Sequence, residues 1–141
     1  MKPLFLFLLL GSFSMACQAQ PNDTSDIKKV LDDQVLAWNR GSVSDFMKGY
    51  WNHDSLIFVG KNGISYGYKN ALNNYKKNYN DQAHMGKLFF ILLSMKRLSP
   101  DYYFIIGKWF LKRSLGDLGG VYTLLFRKIN GKWVIVSDHT S

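Results

Sequence analysis

Apolar side chains recur at helical spacing between residues 27 and 38, where Ile27, Val30, Leu31, Val35 and Trp38 fall on one side of a helix. The run Asp23-Thr24-Ser25-Asp26 offers oxygens to the unpaired amides of a helix start, and Gly41 suits a helix end. Ser42 with Asp45 three residues on resembles a capping box with Asp in place of Glu. It opens a short second helix carrying Val43, Phe46 and Met47, which ends near Gly49. Residues 55–59 read as a strand, 60–63 as its turn and 64–66 as a short return. Gly67 precedes a third helix with Tyr68, Ala71, Leu72, Tyr75 and Tyr79 on one side. From Lys87 onward the pattern predicts long strands near 87–98, 101–113, 120–129 and 132–139, with Asn130-Gly131 as the clearest hairpin turn. Helices followed by a four-stranded antiparallel meander predict an α+β domain with the helices on one side of a curved sheet.

Side-chain parity then sorts the strands into faces. Tyr103, Ile105, Gly107, Trp109 and Leu111 share one side of the second long strand. Tyr122, Leu124 and Phe126 share one side of the third, and Trp133, Ile135, Ser137 and His139 one side of the last. Strict alternation turns Asp138 to the opposite side from His139. That opposite side still shows Phe104, Ile106, Leu125, Val134 and Val136, too much apolar surface for a free sheet face. The expected cover is a second copy of the chain, giving a two-fold homodimer through the outer sheet face.

The start of the chain reads differently. Met1-Lys2-Pro3, the apolar run 4–10 and the small residues up to Cys17 form a secretory signal, with an apolar run short of the ~20 residues a membrane span needs. Residues 1–19 are therefore expected to be a signal peptide, 20–24 a linker and 25–141 the domain. Cys17 is the only cysteine and stands where a bacterial lipoprotein carries its acylated cysteine, although Ser14 replaces the usual large aliphatic residue three positions before it. Lipid anchoring at Cys17 and plain cleavage near Ala16 or Ala19 stay open as alternatives. Either predicts an exported protein, periplasmic or extracellular, that meets the membrane only through such an anchor. The net charge is +8 with ten Asp and no Glu, so carboxylate chemistry falls to Asp. The cations come in scattered pairs rather than a stripe, which argues against a nucleic-acid partner. His53, His84 and His139 lack metal-ligand spacing, and no phosphate loop, dinucleotide fingerprint or nucleophile elbow is present, so no metal or cofactor is expected.

Gly107-x-Trp109, the run from Tyr122 to Lys128, Gly131-x-Trp133 and the ending Asp138-His139-Thr140-Ser141 form a set with Ala37-Trp38-Asn39-Arg40-Gly41 and Tyr50-Trp51. Together they resemble the DUF4440, SnoaL-like branch of the NTF2-like superfamily, over essentially the whole domain. The resemblance implies a cone: a strongly bent antiparallel sheet wrapped around the N-terminal helices, with a pocket at the wide end. The superfamily holds ketosteroid-isomerase-like enzymes, cyclases and dehydratases beside non-catalytic binding and oligomerisation modules, so fold does not fix function. In such a cone the expected pocket residues are Trp38, Tyr50, Trp51, Trp109, Tyr122, Phe126, Trp133 and His139, with Tyr66, Tyr68, Tyr75 and Tyr79 available at the mouth. His139 is the expected acid/base group and Asp54 its candidate partner. The first reading is a small, largely apolar ligand held without catalysis. The alternatives are an isomerase-, dehydratase- or cyclase-type enzyme using His139, and an interaction module.

Overall fold

A computed structural model describes residues 22–141. The expected signal peptide, residues 1–19, and the candidate lipidation site Cys17 lie outside the described residues. Helix α1 (Asp23–Asn39) starts at Asp23 and buries Ile27, Leu31, Gln34, Ala37 and Trp38, a stripe set by the helical period. Asp23 and Asp26 occupy its first turn, where negative charge favours the helix dipole, but no side chain caps its start. It ends at Gly41, whose φ of +86° lets its amide reach Trp38 O at 2.8 Å. The Ser42 hydroxyl accepts from the Asp45 amide at 3.2 Å and so caps α2 (Val43–Phe46), which runs into a 3₁₀ turn at Met47–Gly49.

The sheet has six strands, the two short ones expected near 55–66 joining the four-stranded meander. Strands β1 (Ile57–Gly60) and β2 (Gly63–Tyr66) form a hairpin, and helix α3 (Tyr68–Asn78) follows. A short helix α4 (Gln82–Met85), absent from the sequence expectation, then leads into β3 (Lys87–Ser99), β4 (Tyr102–Lys112), β5 (Leu118–Ile129) and β6 (Lys132–Thr140). The order across the sheet is β2-β1-β6-β5-β4-β3. Every pairing is antiparallel except β1 with β6. The last strand is thus internal, clamped between the first hairpin and the meander. Helix α1 packs across the inner face against β3 and β6.

Three register breaks bend this sheet: between Leu92 and Ser94, between Arg97 and Ser99, and on β6, where Ser137 pairs Leu125 but Ile135 pairs Phe126. The extra residue in each case (Leu93, Leu98 and Val136) is a β-bulge, which turns and twists the strand. The core lies inside the curl, where Ile27, Ile105, Phe126 and Ile135 are fully buried. Burying each such side chain stabilises the fold by about 1.5–3 kcal/mol.

Candidate active site

The bulge at Val136 decides which chemistry faces inward. On the β5 partners, Trp133 and Ile135 stand on the inner face, Val136 is passed over, and Asp138 and Thr140 resume that face. Asp138 pairs with Phe58 of β1 and Leu124 of β5. It is 2% exposed and is the only carboxylate in the six strands. Tyr50 reaches it from the other side: the chain at 50–51 runs parallel to β6, with a bridge from Tyr50 to Ile135 and the Trp51 amide on Ile135 O at 2.9 Å. The Tyr50 hydroxyl donates to Asp138 Oδ2 at 2.7 Å, and the Thr140 hydroxyl donates to Oδ1 at 2.6 Å.

Burial pushes the Asp138 carboxyl up to about 6, against the pull of its two hydrogen bonds and of nearby His139. It therefore exchanges a proton near neutrality. The same burial, joined by the Asp138 charge, raises Tyr50 and Tyr75 well above the ordinary phenol range and Tyr122 to about 12. These phenols keep their protons and can only act as neutral hydrogen-bonding groups. Tyr122 lies over bare backbone at Gly107, where a Cβ would overlap its ring, so the glycine inside β4 is explained by the phenol above it. The Tyr122 hydroxyl is buried and has no hydrogen-bond partner among the described residues. An orphan of this kind costs about 1–3 kcal/mol.

Of the residues expected at the site, the structure brings together Tyr50 and Tyr122, around an acid that strict alternation had turned outward. His139 is exposed on the convex face, between Thr123 of β5 and Val59 of β1. Its expected inward placement fails because one inserted residue reverses parity. Asp54 is exposed in the loop before β1, and no contact joins it to Asp138 among the described residues. Trp38 is buried, but its indole donates to Met85 O at 3.0 Å and its ring meets Phe46 and Tyr79, so it pins helices together. Trp133 donates to Asp23 Oδ1 at 3.1 Å beneath Lys128. Phe126 is solid core. Trp51 stacks on His53 at 4.0 Å in the surface loop, and Trp109 donates to Ser141 O at 3.3 Å.

Tyr75 closes the centre from α3, in ring contact with Phe46, Phe58 and Tyr79. Two surface depressions, of about 280 and 410 Å³, lie beside α1 and between α2 and α3. Neither is lined by Asp138, Tyr50 or Tyr122. Among the described residues no three His, Cys, Asp or Glu side chains converge as a metal site. The residues that sequence reasoning missed are Asp138 and Thr140. Their i, i+2 spacing, which lets the hydroxyl reach the carboxylate, was the available signal.

No protein-family model and no curated protein matches the chain. Solved structures do. A domain of unknown function with a cystatin-like fold from Nostoc punctiforme superposes with a TM-score of 0.72 at 14% identity, covering 87% of this chain and 78% of that one. A ketosteroid isomerase-like protein from Erwinia carotovora gives 0.66 at 16% identity, covering 86% and 96%. At these identities the likeness is one of fold. An NTF2-like protein of unknown function from Shewanella oneidensis is 39% identical, with a TM-score of 0.81, over 84% of this chain and 98% of that one. Identity at that level across nearly the whole relative, on the bent sheet and inner helix described above, shows that the chain belongs to the NTF2-like family.

Proposed function

We propose that the protein binds a small, largely apolar molecule inside the cone, with one polar group of that molecule accepting from Tyr122 beside Asp138. The observation that carries this reading is the buried, partnerless Tyr122 hydroxyl. A donor kept in the core at a cost, next to an acid already satisfied by Tyr50 and Thr140, is explained if an acceptor arrives from outside the chain. Aromatic side chains around a few fixed polar groups suit such a ligand. The Trp133-x-Ile135 and Asp138-His139-Thr140-Ser141 residues with the Trp38-Asn39-Arg40-Gly41 stretch support assignment to the DUF4440 branch, and residues 1–19 support export.

Mass spectrometry of small molecules released from the purified protein tests the reading, with Tyr122→Phe as variant and His139→Ala as control. A molecule retained by the wild type and by His139→Ala but lost from Tyr122→Phe is the expected result. Equal retention by Tyr122→Phe would sink the proposal.

A second reading rests on the proton affinity of Asp138. A carboxyl with a pKa of about 6 in a dry site is suited to general acid–base work. An enzyme of isomerase or dehydratase type would then use Asp138 with a tyrosine, in place of His139 and Asp54.

A further inference from the structure

Two neighbouring rows of the inner sheet face pair an aromatic side chain with a glycine. Tyr122 of β5 stands across from Gly107 of β4, and Trp109 of β4 stands across from Gly120 of β5. Neither glycine has a positive φ, so the backbone does not call for glycine at either position. The rings do. A Cβ at Gly107 would overlap the Tyr122 ring, and one at Gly120 would come 2.9 Å from the Trp109 indole nitrogen and overlap Ser141 O. Each ring thus lies along bare backbone. Phe90 of β3 faces Trp109 from the other side, and its ring centre is 5.3 Å from that of Tyr122. Tyr122 is buried, whereas Trp109 is half-buried and forms the outer layer of the pair. Trp109 is also lightly held. Its indole donates to Ser141 O at 3.3 Å, against 3.0 Å for the buried Trp38 and 3.1 Å for the buried Trp133. Ser141 is fixed independently, its amide donating to Val121 O at 3.0 Å, so this carbonyl stays in place when the indole moves.

Building on the ligand reading above, we propose that Trp109 is the door to Tyr122 and selects a planar aromatic ligand with a hydrogen-bond donor at one end and a carbonyl at the other. The indole swings off Ser141 O, and the ring of the ligand takes its place over Gly120. The slot so opened is flat, with bare backbone on one side and Phe90 on the other, and a planar ring fills it where a puckered one does not. Its two polar ends fix the orientation. The Ser141 carbonyl loses its donor when the indole leaves, and takes the hydroxyl or N–H of the ligand. The Tyr122 hydroxyl, buried without a partner, donates to the ligand carbonyl. Trp109 itself supplies the flat ring and the donor, but no acceptor, and this is why Tyr122 is left unpaired beneath it.

Titration of the intact purified protein with para-hydroxyacetophenone, which has a phenol donor and a carbonyl on one flat ring, tests the proposal. Its saturated counterpart acetylcyclohexanol and the donorless acetophenone should each bind at least about tenfold more weakly. Trp109→Ala removes the door and should bind the probe about tenfold more tightly than wild type, since no indole has to be displaced. The motion is read directly from the indole N–H resonances of isotope-labelled wild type. The resonance missing from Trp109→Phe belongs to Trp109, and it should move to the position of a solvated indole on saturation, while those of Trp38 and Trp133 stay. This measurement decides the matter even if Trp109→Ala fails to fold by circular dichroism. Probe bound with the Trp109 resonance unmoved, equal binding of acetylcyclohexanol, or no binding to wild type at all would overturn the door. Tyr122→Phe separates the two readings. Loss of the probe from that variant with Trp109 unmoved sinks the door alone, and undiminished binding to it sinks the Tyr122 contact on which the ligand reading stands.

Discussion

Asp138 is the residue on which most of the chemistry turns, and its burial has a consequence for stability. Its folded pKa of about 6 lies above the ordinary 3.8. Below both values the folded and unfolded chains hold the same proton and the group is neutral in its effect. As pH rises from about 4 to about 6, the unfolded chain ionises first, so stability falls by roughly 3 kcal/mol and then levels off. Asp138→Asn cannot ionise and should lack this loss. Urea melts of both proteins should therefore show the variant gaining relative to wild type as pH rises through that window, with the gap constant above it. A gap that does not move with pH would mean the carboxyl is solvated in the native state. Tyr50 and Tyr122 were legible in the sequence as inward aromatics. Asp138 was not, because alternation assigns faces only to an unbroken strand.

At the scale of elements, the start of α1 is tied to the sheet by the side chain of its first residue, as its end is by Asn39 on the backbone of Leu88. Asp23 Oδ1 accepts from Lys128 Nζ at 2.7 Å and from the Trp133 indole at 3.1 Å, and Lys128 holds the Asp23 carboxyl below its usual range. The sequence pointed to this residue as a helix cap, and the structure uses it as a strap between the start of α1 and strands β5 and β6. Asp23→Ala should destabilise the protein by about 1–3 kcal/mol, since it strands a half-buried indole N–H and an ammonium. Asp23→Asn should cost less. Denaturant midpoints with unchanged slopes would show the effect, and an Ala variant as stable as wild type would make the contact incidental. The capping role of Ser42, by contrast, was read correctly because caps are local and depend on residues three apart.

For the whole molecule, the four long strands and the helix-then-sheet order were visible in the pattern of apolar positions. The joining of β1 to β6 was not, since it pairs Ile57 with Ser137 and no local pattern encodes a contact across that distance. This joining makes one sheet, and one core, of everything from β2 to β3. Unfolding should then be a single step, with tryptophan fluorescence and far-ultraviolet circular dichroism giving the same midpoint. Separate midpoints would mean that the first hairpin and α3 come away on their own.

The internal position of β6 also governs how the chain is made. The β1–β2 hairpin finds its neighbour in the sheet only when residues 132–140 have left the ribosome. Until then the apolar stripe of α1 and the inner side of the hairpin have nothing complete to close against. A nascent chain therefore cannot close its sheet before β6 has emerged.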